Sequence, residues 1–118
     1  MAMVIGADQS LFTLPADLVD RYRNQPVEWG FSALSWATYK RSYSRDGEDW
    51  WQTCRRVIEG MFTIERLHCR RNDVSWNERE AQNCACEAYR CLWGFKWAPP
   101  GRGLWIIGTE FLCGAALL

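Results

Sequence analysis

The chain has 118 residues, 48% of them hydrophobic, and its 14 basic and 14 acidic side chains cancel. That length allows one domain at most, burying about two thirds of its unfolded surface, and a neutral chain lacks the net field of a dedicated nucleic-acid binder. No apolar run is long enough to span a bilayer, and residues 1–6 lack the basic and long apolar regions of a secretory signal.

Eight tryptophans are spread along the sequence. Large aromatics supply much buried area per residue, so they predict a small core built from big pieces, although they also mark interfaces. Six cysteines admit three readings. They are a disulfide framework, a zinc site using His68, Cys69, Cys84 and Cys86, or buried helix cysteines acting as small hydrophobes. The spacing is wrong for a standard zinc ribbon and no export signal is visible, which favours the last.

Residues 1–12 show no periodicity and read as loose. Thr13 can cap a short helix with Pro15 in its first turn. Leu14, Leu18, Val19 and Tyr22 then share one side, and Asn24 to Pro26 end it. Residues 27–45 are ambiguous: Phe31 to Ala37 suits an extended stretch or a short helix, and Lys40 to Arg45 reads as an exposed, irregular connector. Asp46, Glu48 and Asp49 place negative charge at the start of a helix predicted over about 47–62. Its stripe is Trp50, Cys54, Val57, Ile58 and Met61, with Arg55, Arg56 and Glu59 off it. The pattern can continue through Ile64 and Leu67 with a break at Gly60, and Asn72-Asp73 marks a turn. Ser75-Trp76-Asn77-Glu78 fits a capping box. The following helix, 76–93, has the smooth stripe Ala81, Cys84, Ala85, Ala88, Cys91 and Leu92. Gly94 is placed to end it in a left-handed conformation, and Pro99-Pro100 forbids continuation. Leu104 to Ile107 is a four-residue apolar run predicted as a buried strand. From Leu104 to Leu118 the only charge is Glu110.

Few residues suggest chemistry. Arg102 lies between Gly101 and Gly103, a setting that lets a backbone approach a ligand while arginine grips phosphate. The same pattern serves a tight turn with Arg102 paired to a carboxylate, and no P-loop ending follows. His68 is the only histidine, and on a helix it and Cys69 point about 100° apart, so they do not make a nucleophile–base pair. Glu110, if buried, needs a partner such as Arg102 or another chain.

Pro99-Pro100-Gly101-Arg102-Gly103-Leu104-Trp105, followed by Gly108-Thr109, resembles the monomeric type of adenosylcobalamin-dependent (class II) ribonucleotide reductase. Val27 to Gly30, Tyr39 to Arg45 and Trp50 to Gly60 resemble the same family in the same order, so the likeness spans roughly residues 12–118. It implies a mainly α unit: a loose N-terminus (1–12), a helical region (13–97), and a turn with the start of the first strand of a ten-stranded α/β barrel (98–118). The function it implies is that of an N-terminal fragment or split subunit of a cytoplasmic ribonucleoside-triphosphate reductase. Such a piece is inactive without the remaining chain, which carries the barrel and the catalytic cysteines. Gly114 to Leu117 matches the segment just before a substrate-reducing cysteine in the family. Cys113 precedes that segment and is not its equivalent, so no catalytic residue carries over, and no metal ligand does. The likeness makes Pro100, Gly101, Arg102, Gly103 and Thr109 substrate-adjacent candidates. It makes Leu104, Trp105, Ile106, Ile107, Phe111 and Leu112 candidates for the partner interface. Adenosylcobalamin belongs to the assembled enzyme and is not bound by this chain alone; no nucleic acid or membrane partner is expected. The alternatives are a non-catalytic interaction module derived from the reductase start, and a small zinc module.

Overall fold

A computed structural model describes residues 11–29 and 36–109. Among them are five helices and no strand: α1 (Ala16–Arg23), α2 (Trp36–Ser42), α3 (Trp50–Arg71), α4 (Glu78–Trp93) and α5 (Gly101–Ile106). The spine is α3, with α4, α1 and α5 packed around it. It begins at Trp50, where the Gln52 side chain reaches back to accept from the Asp49 backbone N–H at 2.7 Å. It then runs 22 residues, straight through Gly60. Trp50, Cys54, Val57 and Ile58 of the predicted stripe are buried, whereas Met61 is exposed.

Before α1 the chain is an extended strap. Phe12 and Leu14 point into the core while Leu11 and Thr13 face out. Among the described residues no strand pairs with it, and side chains satisfy its backbone. The Phe12 N–H donates to Thr63 Oγ1 and the Leu14 N–H to Glu59 Oε2, each at 2.8 Å, while Gln82 Nε2 donates to the Thr13 carbonyl at 2.9 Å. Of the stretch read as loose, residues 1–10 lie outside the described residues and Phe12 is wholly buried. Pro15, not Thr13, occupies the N-cap of α1.

An aromatic cluster joins the two ends of the core. Trp50 stacks on Phe95 at 4.9 Å and meets Tyr39 edge-on at 5.3 Å, and Trp29 stacks on Tyr39 at 5.3 Å. Tyr39 is fully buried in α2, and the segment read as an irregular connector, Lys40 to Arg45, begins as the last turn of that helix, with Arg41 and Ser42 exposed. Burial pushes its phenol up to about 12. Trp50 and Trp97 donate their indole N–H groups to the carbonyls of Trp93 and Ala88.

Several termini differ from the sequence reading. Asn77, not Ser75, caps α4, accepting from the Glu80 N–H at 3.0 Å. Gly94 has φ −86°, and the left-handed residue is Phe95 at φ 61°. The bonds Lys96 N–H to Cys91 O and Phe95 N–H to Leu92 O form a Schellman ending one residue later than predicted. Stacking on Trp50 explains a phenylalanine where glycine is usual. The same ending closes α3, with Asp73 at φ 55° and Val74 folded back onto the Cys69 carbonyl. On α4 the buried residues are Ala81, Ala85, Tyr89 and Leu92; Cys84 is exposed.

The largest correction concerns residues 104–107. The apolar run is not a strand: Leu104 to Ile106 complete α5, and the Leu104 and Ile107 N–H groups donate to the Pro100 and Gly103 carbonyls, each at 3.0 Å. Pro100, at φ −52°, stands at the N-cap position, and a proline there is already set for entry into a helix. Residues 110–118, the rest of the expected strand, lie outside the described residues.

Candidate functional site

The proline-glycine-arginine segment is organised by a residue 46 positions earlier, Arg56. The last carbonyls of a helix have no partner within it and carry the negative end of its dipole. Arg56 supplies the missing donors for α5. Its Nη2 donates to the Leu104 carbonyl at 2.7 Å and its Nη1 to the Ile107 carbonyl at 2.6 Å, with Trp105 O at 3.4 Å. The guanidinium is almost wholly buried and needs a counter-charge. Glu48, equally buried, provides it: Arg56 Nη2 donates to Glu48 Oε1 at 2.7 Å. That oxygen also accepts from Thr53 Oγ1 at 2.6 Å and from the Arg45 N–H at 3.2 Å. Tyr39 OH lies 2.5 Å from Thr53 Oγ1, tying the aromatic cluster to this pair. Glu48 is held in place by the turn before α3, where Asp46 and Gly47 both have positive φ and the Glu48 N–H bonds the Arg45 carbonyl.

The glycines serve the same docking. A Cβ on Gly60 would sit 2.5 Å from the Gly108 Cα and 2.6 Å from its nitrogen. A Cβ on Gly108, which has φ 83°, would collide with the Arg56 carbonyl oxygen. The backbone leaving α5 therefore lies directly on α3. A Cβ on Gly101 would stand 2.7 Å from Cε1 of Tyr43.

The candidate residues fall into distinct settings. Pro100 and Arg102 are exposed, Gly101 and Gly103 half-buried, and Leu104 and Thr109 buried. Thr109 Oγ1 donates to the Ile106 carbonyl at 2.6 Å. Trp105 is 46% exposed, and the Arg45 guanidinium lies 4.0 Å from its ring centroid while donating to its carbonyl at 2.8 Å. Ile106 and Ile107 are half-buried; Phe111, Leu112, Glu110 and Cys113 lie outside the described residues.

Beside this junction a cleft of ≈ 380 Å³ opens between the strap, α3 and Gly108, with Trp51, Gln52, Arg55 and Glu59 on its walls. Burial pushes the Glu59 carboxyl up from its ordinary value, against the opposing pull of the Leu14 N–H and Arg55. Burial also raises the Cys54 thiol, which keeps it protonated and unreactive. Among the described residues no three His, Cys, Asp or Glu side chains gather to hold a metal ion. The set His68, Cys69, Cys84 and Cys86 therefore finds no support as a zinc site, and Cys84 is exposed to solvent. No described helix is long and apolar enough to cross a membrane.

Sequence reasoning missed Arg56 and Glu48. The signal was a second stripe on α3, Thr53, Arg56, Gly60 and Thr63, all buried and spaced by three, four and three. It holds no apolar side chain larger than glycine, so a search for apolar periodicity passes over it.

Residues 14–109 match the ribonucleotide reductase alpha domain. A probable adenosylcobalamin-dependent ribonucleoside-triphosphate reductase of Dictyostelium discoideum is 36% identical over 104 residues, covering 84% of this chain and 14% of the relative. The adenosylcobalamin-dependent ribonucleoside-triphosphate reductase of Euglena gracilis is 32% identical over 109 residues, with 83% and 14% covered. A crystal structure of a B12-dependent (class II) ribonucleotide reductase superimposes with a TM-score of 0.68 at 31% identity, again over 84% of this chain and 14% of that one. The chain thus spans about a seventh of the length of these relatives, and its described helices match a helical portion of the reductase fold. With its whole helical unit inside the matched span, the chain belongs to the ribonucleotide reductase alpha-domain family.

Proposed function

We propose that this chain is the N-terminal helical part of an adenosylcobalamin-dependent ribonucleoside-triphosphate reductase. That enzyme reduces ribonucleotides to deoxyribonucleotides for DNA synthesis in the cytoplasm. The part works only with the remaining reductase polypeptide, which carries the barrel, the catalytic cysteines and the nucleotide site. The observation that carries this reading is the α3–α5 junction. A buried ion pair and two glycines fix the course of the chain at Gly108 and Thr109, within the segment that resembles the approach to the family's barrel. In this reading α5 is scaffold at the edge of the active-site entrance. Pro100, Gly101, Arg102 and Gly103 lie nearest the substrate, and exposed Arg102 faces its phosphates. Thr109 acts by holding the turn, since its side chain is buried.

Adenosylcobalamin, when bound, supplies the radical-generating chemistry of such enzymes. The described residues do not fit it. Pockets for drug-sized ligands run from about 300 to 1,000 Å³, and the cleft and groove along α3 hold ≈ 380 and ≈ 520 Å³, too little for a corrin with its nucleotide and adenosyl arms. In this reading the remaining polypeptide holds the cofactor.

The test is co-expression of this chain with the Dictyostelium relative lacking the stretch that matches residues 14–109. Co-purification and adenosylcobalamin-dependent reduction of a ribonucleoside triphosphate are expected, with neither piece active alone. Absence of both would overturn the proposal.

A further inference from the structure

The second half of α3 has a face that the other described elements leave open. Beyond Thr63 no residue of α3 is fully buried. Met61, Ile64, Glu65, His68, Cys69 and Asn72 follow one another at i, i+3, i+4, i+7, i+8 and i+11, the spacing of a single helix face. Together with Val74, which the Schellman turn folds back beside Cys69, they line an open groove of ≈ 520 Å³. Met61 is 38% exposed and Val74 56%, two of the five large apolar side chains left in solvent among the described residues. An amphipathic face of this kind, with one formal charge at Glu65, normally covers itself with a second element. Its first turn lies one residue from Gly60, where the chain leaving α5 crosses α3.

We infer that this α3 face is a docking surface for the remaining reductase polypeptide, which lays an apolar element along Met61, Ile64, Cys69 and Val74. The inference rests on the proposed function and adds to it a surface on the other side of Gly60 from the candidates at Trp105 to Ile107. The occupant is argued from length. The family match ends at residue 109 and includes all of α3, while the crystallised relative has six-sevenths of its chain outside the matched unit. A helix inside the shared unit that exposes an apolar face is placed to meet that larger part. Glu65, half-way along the groove, calls for a cationic group on the approaching element.

The test uses the co-expressed complex described above. Met61→Glu and Ile64→Glu are made singly, and Trp36→Glu serves as a control at an exposed apolar side chain outside the groove, with circular dichroism and melting of each variant chain checking its fold. The expected result is an intact fold and at least a tenfold weaker affinity for the remaining polypeptide in both groove variants, with the control unchanged. Equal affinity for wild type and groove variants overturns the docking surface and leaves the proposed function standing. A wild-type chain that binds nothing overturns both. Sedimentation of the chain alone as a dimer that Met61→Glu dissolves overturns the inference in favour of a second copy.

Discussion

Arg56 shows how one side chain can govern an element far away in sequence. Removing it strips donors from the Leu104 and Ile107 carbonyls and leaves Glu48 buried without its counter-charge. Breaking a buried pair from one side costs about 3–5 kcal/mol. Arg56→Ala should lower the unfolding free energy by about that amount, read as the shift in urea midpoint. Glu48→Gln should also destabilise: an amide oxygen still accepts from Arg56 and Thr53, but the buried guanidinium loses its counter-charge. Equal and small losses for both would mean that the pair contributes little. Glu59 behaves in the opposite sense. Its folded-state carboxyl is raised from 4.5 by burial. The folded protein therefore binds the proton more tightly than the unfolded chain. The resulting stability is fully present below pH 4.5 and is lost as pH rises through the raised value. Glu59→Gln keeps an acceptor for the Leu14 N–H and removes the titration. The wild type should lose stability relative to this variant between pH 4.5 and neutrality. Parallel pH profiles would contradict the assignment.

Helices reveal themselves in sequence to the extent that their faces are apolar. The stripe Trp50, Cys54, Val57 and Ile58 gave α3 away, and the small-residue face of α4 marked it as a close-packing helix. The run Leu104 to Ile107 did not declare its type, because four consecutive apolar residues carry neither a period of two nor of 3.6. What decides it is Pro100 at the helix start and Arg56 at its end, and the second lies 48 residues from Leu104. Gly60 was misjudged for a related reason. Inside a helix it suggests a break; here it gives room to the Gly108 backbone. Replacing a mid-helix glycine by alanine normally stabilises by about 1 kcal/mol. Gly60→Ala should instead destabilise, since its Cβ would meet backbone atoms at 2.5 and 2.6 Å that have no rotamer to change. A rise in melting temperature for Gly60→Ala would show that α5 does not seat on α3 as described. The candidate site was legible in part: the glycines and prolines around Arg102 stood out, whereas the buried pair that positions them did not.

At the scale of the whole molecule, the chain has a core of its own, built from the strap, α3, α4 and the Trp50 cluster, yet matches only 14% of its relatives. The α3 groove and the exposed Trp105 are the surfaces that the proposed assembly turns toward the rest of the reductase. The most direct measurement is made on a chimera: the Dictyostelium reductase with its matching stretch replaced by residues 14–109 of this chain, assayed for adenosylcobalamin-dependent reduction of a ribonucleoside triphosphate. Turnover within about tenfold of the parent, a loss of no more than about 1.4 kcal/mol in transition-state stabilisation, is expected. A folded, cofactor-loaded chimera without turnover would contradict the assignment of this unit to the reductase scaffold.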